Sequence, residues 1–212
     1  EYLPDLTEYE RYNVWVLDKE INERGIPVDI ETVKKIQEFA DLYRDELTEE
    51  FVSLCGFKPT QVAKVQAFLA ERGVVLPNMQ KDTVLNILPT LEEGEAKKLL
   101  EIRLSLSKAS TSKYNKILDM VCSDGRVKNV LTYHGAATGR WAAVGLQVQN
   151  LTKETSDMPQ DQVIRMVNSC TYEQYRLLFP DIYGSFKSCL RGVFKAKKSN
   201  RLAVADLCQI EA

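Results

Sequence analysis

The apolar positions of residues 1–121 recur every three or four residues, the spacing of amphipathic helices. Thr7 and Glu10 form a capping-box sequence at the start of a first predicted helix, which ends at Gly25. A second predicted helix of about six turns follows Asp29. The same spacing predicts further helices at residues 60–72, 82–88 and 92–121. The first part of the chain is therefore expected to be helical.

The pattern changes at Asp124-Gly125, a dipeptide typical of tight turns. Residues 127–133 have the composition of extended chain, and residues 160–194 are again predicted to be helical. The apolar run at 202–206 ends in a carboxylate, which is typical of a buried strand that carries an acid at its tip. The sequence therefore predicts an α+β fold with a helical half followed, from about residue 123, by a half that contains short strands.

Composition narrows the protein class without identifying an activity. Hydrophobic residues make up 44% and charged residues 27% of the chain, near the averages for soluble globular proteins. No apolar run is long enough to cross a membrane, and the five cysteines lack the close spacing of a zinc site. We therefore expect a cytoplasmic protein with reduced thiols. The chain starts at Glu1 rather than Met, which suggests a piece of a longer protein.

Charge is distributed unevenly along the chain. Residues 1–102 contain 12 Lys and Arg against 21 Asp and Glu, whereas residues 103–212 contain 16 against 9. Six basic residues and no acid lie between Lys187 and Arg201. A basic half in an acidic protein suggests a surface that faces a polyanion. A solvated face balanced by its neighbours explains the charge equally well.

Residues 131–151 carry the most informative chemistry. Thr138-Gly139-Arg140 places a permanent cation beside a glycine that allows close backbone approach, and Gln149 and Asn150 add amide donors and acceptors. Arginine and amide side chains suit the acceptors that all base pairs share in the DNA minor groove. The alternative is that Arg140 pairs with a surface acid and that the amides cap a turn.

Three ordered blocks of this sequence resemble family A DNA polymerases. Tyr133-His134, Thr138-Gly139-Arg140 and Gln149-Asn150-Leu151 are similar to that family's Y-H…T-G-R…Q-N-L block. Residues 190–194 and 202–212 resemble the family's approach to its motif A, with Asp-Leu-Cys-Gln-Ile-Glu at 206–211 in place of Asp-Tyr-Ser-Gln-Ile-Glu. A long insertion at about 153–185 and a thumb-like helix at 103–114 are similar to the phage-type branch.

The resemblance implies an architecture and a set of catalytic roles. Residues 1–25 would be a connecting helix, 26–122 the helical thumb, and 123–212 the first strands and helix of the palm. Asp206 and Glu211 would be catalytic. Asp206 would be one of two aspartates that bind a pair of Mg²⁺ ions, the Leu207 carbonyl would be a further ligand of the nucleotide-side ion, and Glu211 would disfavour a 2′-hydroxyl. The nucleotide-binding residues would be Leu207, Gln209 and Glu211. The ions would activate the primer 3′-hydroxyl and neutralise the transferring phosphoryl group.

The resemblance also implies DNA contacts. Arg140, Gln149 and Asn150 would touch the minor groove of primer-template DNA. The thumb would bind phosphates through Lys108, Ser110, Thr111 and Lys113, although helical lysines are often merely solvated. His134, the single histidine, is assigned to DNA contact or packing rather than to general-base catalysis. Trp15 and Trp141 are expected in the core rather than as stacking platforms.

Three functions stay open at this point. The first is a piece of a DNA-directed DNA polymerase that binds primer-template DNA and supplies one catalytic aspartate. A second polypeptide would then carry the helix that holds the dNTP and the second metal-binding aspartate, so this chain alone is expected not to extend primers. The second is a non-catalytic nucleic-acid-binding module, and the third is a helical protein-interaction domain.

Overall fold

The computed structural model describes residues 7–107, 112–151, 158–196 and 199–203. A π-helical segment, Glu10–Trp15, leads directly into α1, Val16–Arg24. The other α-helices in these ranges are α2 (Ile30–Cys55), α3 (Val62–Glu71), α4 (Lys81–Ile87), α5 (Glu95–Leu106), α6 (Ser112–Met120), α7 (Gln160–Ser169), α8 (Tyr172–Leu178) and α9 (Ile182–Cys189). The strands are β1 (Ile26–Pro27), β2 (Arg126–Val127), β3 (Leu131–Thr132) and β4 (Ala142–Ala143).

The first helix begins and ends as its sequence predicts. The Thr7 amide donates to the Glu10 carboxylate at 2.9 Å, and the Glu10 amide donates to the Thr7 hydroxyl at 3.2 Å. Gly25 ends α1 with φ 59°, a conformation that favours glycine. The prediction that Trp15 lies in the core is wrong, because its side chain is 52% exposed. Only Asn22 of α1 is buried, so the helix packs through its C-terminal end and leaves the upstream aromatic side chains at the surface.

Helix α2 organises the core. Asp29 caps its first turn by accepting a hydrogen bond from the Thr32 amide, and Gly56 ends it in the left-handed conformation. The predicted apolar stripe is buried, from Val33 through Phe51. Helices α5, α6, α7 and α9 all pack against α2. The core therefore joins residues from both sides of position 123, and the assignment of thumb and palm stays a prediction.

Two predicted helical stretches are shorter in the structure. Residues 92–121 form α5 and α6, and α5 ends where the Ser107 hydroxyl donates to the Leu104 carbonyl. Residues 160–194 form three helices, because Thr171 and Asp181 each cap a new first turn. The polar caps at Thr171 and Asp181, which compete with continued helix, explain the second difference.

The strands form two small antiparallel sheets. Strand β1 pairs with β2, with Ile26 opposite Val127, and β3 pairs with β4, with Leu131 opposite Ala143. A bridge between Val28 and Phe194 adds the chain after α9 to the edge of the first sheet. The α+β prediction is confirmed in this form, a mainly helical chain with two small sheets. The strand predicted at 202–206 lies mostly outside the described residues.

Candidate nucleic-acid interface

Strands β3 and β4 present residues 133–141 as a loop. We call residues 131–151 the hairpin segment. The Gly139 amide donates to the Ala136 carbonyl at 2.9 Å, and the Ala136 amide donates to the Arg140 carbonyl at 3.1 Å, so the tip of the loop is a tight turn. Gly139 has φ 77°, and a Cβ there would lie 2.9 Å from Nε2 of His134. Both backbone conformation and space therefore require glycine at this position.

His134 packs within this loop. Its backbone has φ 52°, and its ring lies against the Gly139 backbone and 6.0 Å from the Tyr133 ring. Tyr133 in turn makes an edge contact with Trp141, with ring centroids 5.3 Å apart. His134 is nevertheless exposed, and its role in DNA contact or packing stays a prediction. Trp141 is half-buried.

Arg140 projects from the tip of the hairpin segment and is exposed. Within the described ranges, no carboxylate lies within salt-bridge distance of its guanidinium. Its pairing with a surface acid, the alternative considered above, has no support in that part of the chain. A guanidinium offers five donors in a rigid fork, which matches bidentate acceptors on nucleic acid.

Gln149 and Asn150 have different roles in the structure. The Gln149 amide nitrogen donates to the Trp141 carbonyl at 3.0 Å, which places the Gln-Asn-Leu block beside the residue that follows Arg140. The Asn150 side chain is exposed, and its backbone amide donates to the Gln147 carbonyl at 2.9 Å. Two blocks that are separate in sequence therefore meet on one surface, with Gln149 partly used to hold them together.

Lys113 brings helix α6 to the same surface. Its Nζ lies 3.5 Å from the Leu146 carbonyl oxygen, and its side chain is half-buried. The next residue, Tyr114, is fully buried and donates its hydroxyl to the Phe186 carbonyl at 2.5 Å. Burial raises the pKa of Tyr114 well above its ordinary value, so this hydroxyl stays protonated. The buried tyrosine fixes α6, and an ammonium with three donors keeps capacity for a further acceptor.

Two anchors of the hairpin segment were missed from the sequence. The buried side chain of Asn22 donates to the Leu131 carbonyl at 2.9 Å and accepts from the Leu131 amide at 3.1 Å. The Arg191 guanidinium donates to the Leu151 carbonyl through Nη2 at 2.7 Å and Nε at 3.1 Å. For Asn22, the available sequence signal was a polar side chain next to the apolar positions of the first helix. Arg191 belongs to a block that resembles polymerases, but nothing in that block indicated its partner.

Several predicted site residues fall outside the described ranges. They are Lys108, Ser110, Thr111, Asp206, Leu207, Gln209 and Glu211. Among the residues that are described, no group of three or more His, Cys, Asp or Glu side chains could hold a metal ion. The expected Mg²⁺ ligands are thus not part of the described surface. No described helix is both long and apolar enough to cross a bilayer.

Comparison with known proteins finds similarity to a phage DNA polymerase. The DNA polymerase of Bacillus phage SP02 is 29% identical over 203 residues, which cover 95% of this chain and 31% of the relative. The chain therefore spans about a third of the length of that polymerase. No family model and no solved structure matches the chain. This chain is related to a phage DNA polymerase.

Proposed function

We propose that this chain is part of a DNA-directed DNA polymerase of family A, phage-type branch, and that its hairpin segment and Lys113 bind primer-template DNA. The observation that carries the proposal is the meeting of three sequence blocks on one surface. Gln149 contacts the Trp141 carbonyl, Lys113 approaches the Leu146 carbonyl, and Arg191 contacts the Leu151 carbonyl. The relation to a phage DNA polymerase supports the same function.

The proposed division of labour follows from the chemistry of the side chains. Arg140 and Asn150 are exposed and would donate to acceptors in the minor groove, which all base pairs share. Such contacts test base-pair geometry without preferring a sequence. Gln149 would act mainly as the positioning residue that keeps this loop beside Asn150, because its amide nitrogen already has a partner.

Lys113 would bind a backbone phosphate. Its ammonium lies at the edge of the hairpin segment, and within the described ranges its hydrogen-bond partner is the Leu146 carbonyl oxygen at 3.5 Å. A phosphate contact releases condensed counterions, so its share of the affinity falls as salt rises. Lys108, Ser110 and Thr111 would extend this phosphate contact along the predicted thumb.

Catalysis is the finer part of the proposal and rests on the resemblance of residues 206–211. Asp206 and the Leu207 carbonyl would hold Mg²⁺, Glu211 would act as the steric gate, and Gln209 would lie near the nucleotide. The described surface would bind and orient the primer-template, and it contains none of these proposed Mg²⁺ ligands. Synthesis would also need the second metal-binding aspartate, which we propose lies in the part of the polymerase not spanned by this chain.

Fluorescence anisotropy with a labelled primer-template junction tests the DNA surface. Arg140→Ala should weaken binding about five- to thirtyfold, since a charge-assisted contact contributes about 1–2 kcal/mol. Lys113→Ala should weaken it less and reduce the salt dependence. Lys64→Ala is the control, because Lys64 is an exposed cation like Arg140 and lies on a helix like Lys113, but belongs to the acidic half of the chain.

Each outcome decides between functions. Salt-dependent binding that is weakened in Arg140→Ala and kept in Lys64→Ala supports the proposal. Binding that ignores both substitutions would favour a protein-interaction domain. Primer extension after addition of a polypeptide with the remaining polymerase motifs would support a polymerase part, whereas DNA binding without extension would favour a non-catalytic binding module.

A further inference from the structure

A cavity of about 270 Å³ lies between the end of α5, the start of α4 and the residues before α3. Its apolar wall consists of Met79, Val84, Leu104 and Leu106, together with Pro59. Two cations line it, Lys81 and Arg103, and no acid is among its described lining residues. The cavity is outside the hairpin segment.

Arg103 is the unusual group in this cavity. Its guanidinium is half-buried and donates to the Pro59 carbonyl, and within the described ranges no carboxylate pairs with it. Burial lowers its pKa, which reflects the cost of keeping the charge away from water. A cation removed from water normally has an anionic partner.

Arg126, also half-buried, donates to the Arg24 and Gly25 carbonyls and has no carboxylate within salt-bridge distance in the described ranges, whereas two other arginines have one. Arg72 donates to the Glu95 carboxylate with Nη2 at 2.8 Å, and Arg176 lies 3.4 Å from the Glu46 carboxylate. Arg103 lies in the last turn of α5, where a cation is favoured by the helix carbonyls. That effect accounts for a basic residue at this position but not for an acid-free cavity that holds a second cation.

We propose that this cavity binds an acidic peptide segment of a partner protein, with a carboxylate on Arg103 and Lys81 and a large apolar side chain against the apolar wall. The pairing of charge and apolar surface in one cavity selects this ligand class. A DNA backbone would satisfy the two cations but would bring no apolar side chain to Leu104 and Leu106. The inference does not depend on the proposed polymerase function.

The probe is a fluorescein-labelled peptide that ends in Asp-Asp-Phe with a free carboxylate, titrated against the full chain by anisotropy. We expect saturable binding, weakened about tenfold by Arg103→Met, which keeps an apolar stem and removes the charge. Lys81→Ala, at an exposed position, should weaken binding about threefold. Arg72→Met, which removes the charge of another half-buried arginine, should have no effect, and melting temperatures of all variants check folding.

The peptide itself supplies the second set of controls. Replacing its Phe by Ala, or its Asp residues by Asn, should weaken binding by similar factors if both halves of the ligand are recognised. Lack of binding at about 1 mM peptide, or equal binding by wild type and Arg103→Met, overturns the proposal. It is also overturned if Arg103→Met weakens primer-template binding as much as Arg140→Ala while peptide binding is unchanged, since the cavity would then serve DNA.

Discussion

The helical core around α2 and the hairpin segment are held in place by different forces. Val33, Ile36 and Phe51 of α2 are fully buried among apolar side chains of four other helices. The hairpin segment buries Leu146 and Leu151 in the same core, but its backbone also accepts contacts from the polar side chains of Asn22, Lys113, Gln149 and Arg191. The helices are stabilised mainly by buried area, whereas the hairpin segment combines two buried leucines with a few directed hydrogen bonds.

The helical core and the hairpin segment should therefore tolerate amino-acid substitutions differently. Apolar burial is non-directional and is shared among many residues, so its contribution grows with the area removed from water. A directed hydrogen bond depends on one partner, and its loss leaves a backbone group unsatisfied. Substitutions in the core should therefore have large effects on global stability. Substitutions of the polar anchors should act more locally and should also be visible in DNA binding.

Phe51→Ala should give the largest loss of stability. Phe51 is fully buried in α2 and stacks edge-on with Phe57, so truncation leaves a cavity in the centre of the helices. We expect the free energy of unfolding to fall by about 3–5 kcal/mol in chemical denaturation. Val52→Ala, at the adjacent and partly exposed position, should cost far less. Similar losses at both positions would mean that α2 is not packed as described.

Asn22→Ala should give the next largest loss of stability, and it should also weaken DNA binding by the hairpin segment. It removes both hydrogen bonds to the Leu131 backbone, at a cost of about 2–3 kcal/mol in unfolding free energy. Because β3 begins at Leu131, we also expect weaker primer-template binding. Asn13→Ala, on an exposed position of the same helical segment, is the control. Unchanged DNA binding in a destabilised Asn22→Ala protein would show that the hairpin segment keeps its shape without this anchor.

The same contrast explains what the sequence could predict. The buried stripe of α2 follows from apolar periodicity, and the caps at Asp29 and Gly25 follow from residue type, so both were predicted correctly. The exposure of Trp15 could not be predicted, because periodicity does not say how far along a helix its packing partner extends.

The candidate site was predictable only as a set of residue types. The Thr-Gly-Arg and Gln-Asn-Leu blocks pointed to one surface, but the contact between Gln149 and Trp141 depends on the path of the chain through a loop. The contact of Arg191 with the Leu151 carbonyl joins residues 40 positions apart. Such long-range polar contacts leave no periodic signal, unlike the apolar stripe of a helix.

Asp29→Ala tests the junction between the helices and the first sheet. Asp29 caps α2, and its carboxylate also contacts Lys195 beside the Val28–Phe194 bridge. Burial alone would raise the pKa of Asp29, but hydrogen bonds from Lys195 and Thr32 outweigh it and lower the pKa below its ordinary value. The stabilisation is therefore present above about pH 4 and is lost as the pH falls through the folded-state pKa.

We expect Asp29→Ala to cost about 1 kcal/mol of unfolding free energy at neutral pH, as for other helix caps. The difference from wild type should narrow below about pH 4, since the wild-type carboxylate is then protonated. Chemical denaturation at neutral and acidic pH measures this, with the exposed Asp45→Ala on α2 as control. A difference that stays constant down to pH 2 would show that the carboxylate charge contributes nothing at this junction.

The smallest effect on stability, and the sharpest test of the hairpin segment, comes from comparing Gln149→Ala with Asn150→Ala. Gln149 donates to the Trp141 carbonyl, so its loss should cost at most about 1 kcal/mol and should speed amide hydrogen exchange in β4. Asn150→Ala should leave this exchange unchanged, because the Asn150 side chain is exposed and makes no hydrogen bond to the described residues of the loop. Both should weaken primer-template binding, Gln149→Ala through the shape of the loop and Asn150→Ala through a lost contact. If both variants left exchange unchanged, the loop would be held by its own backbone turns, and the distinction between positioning by Gln149 and contact by Asn150 would fail.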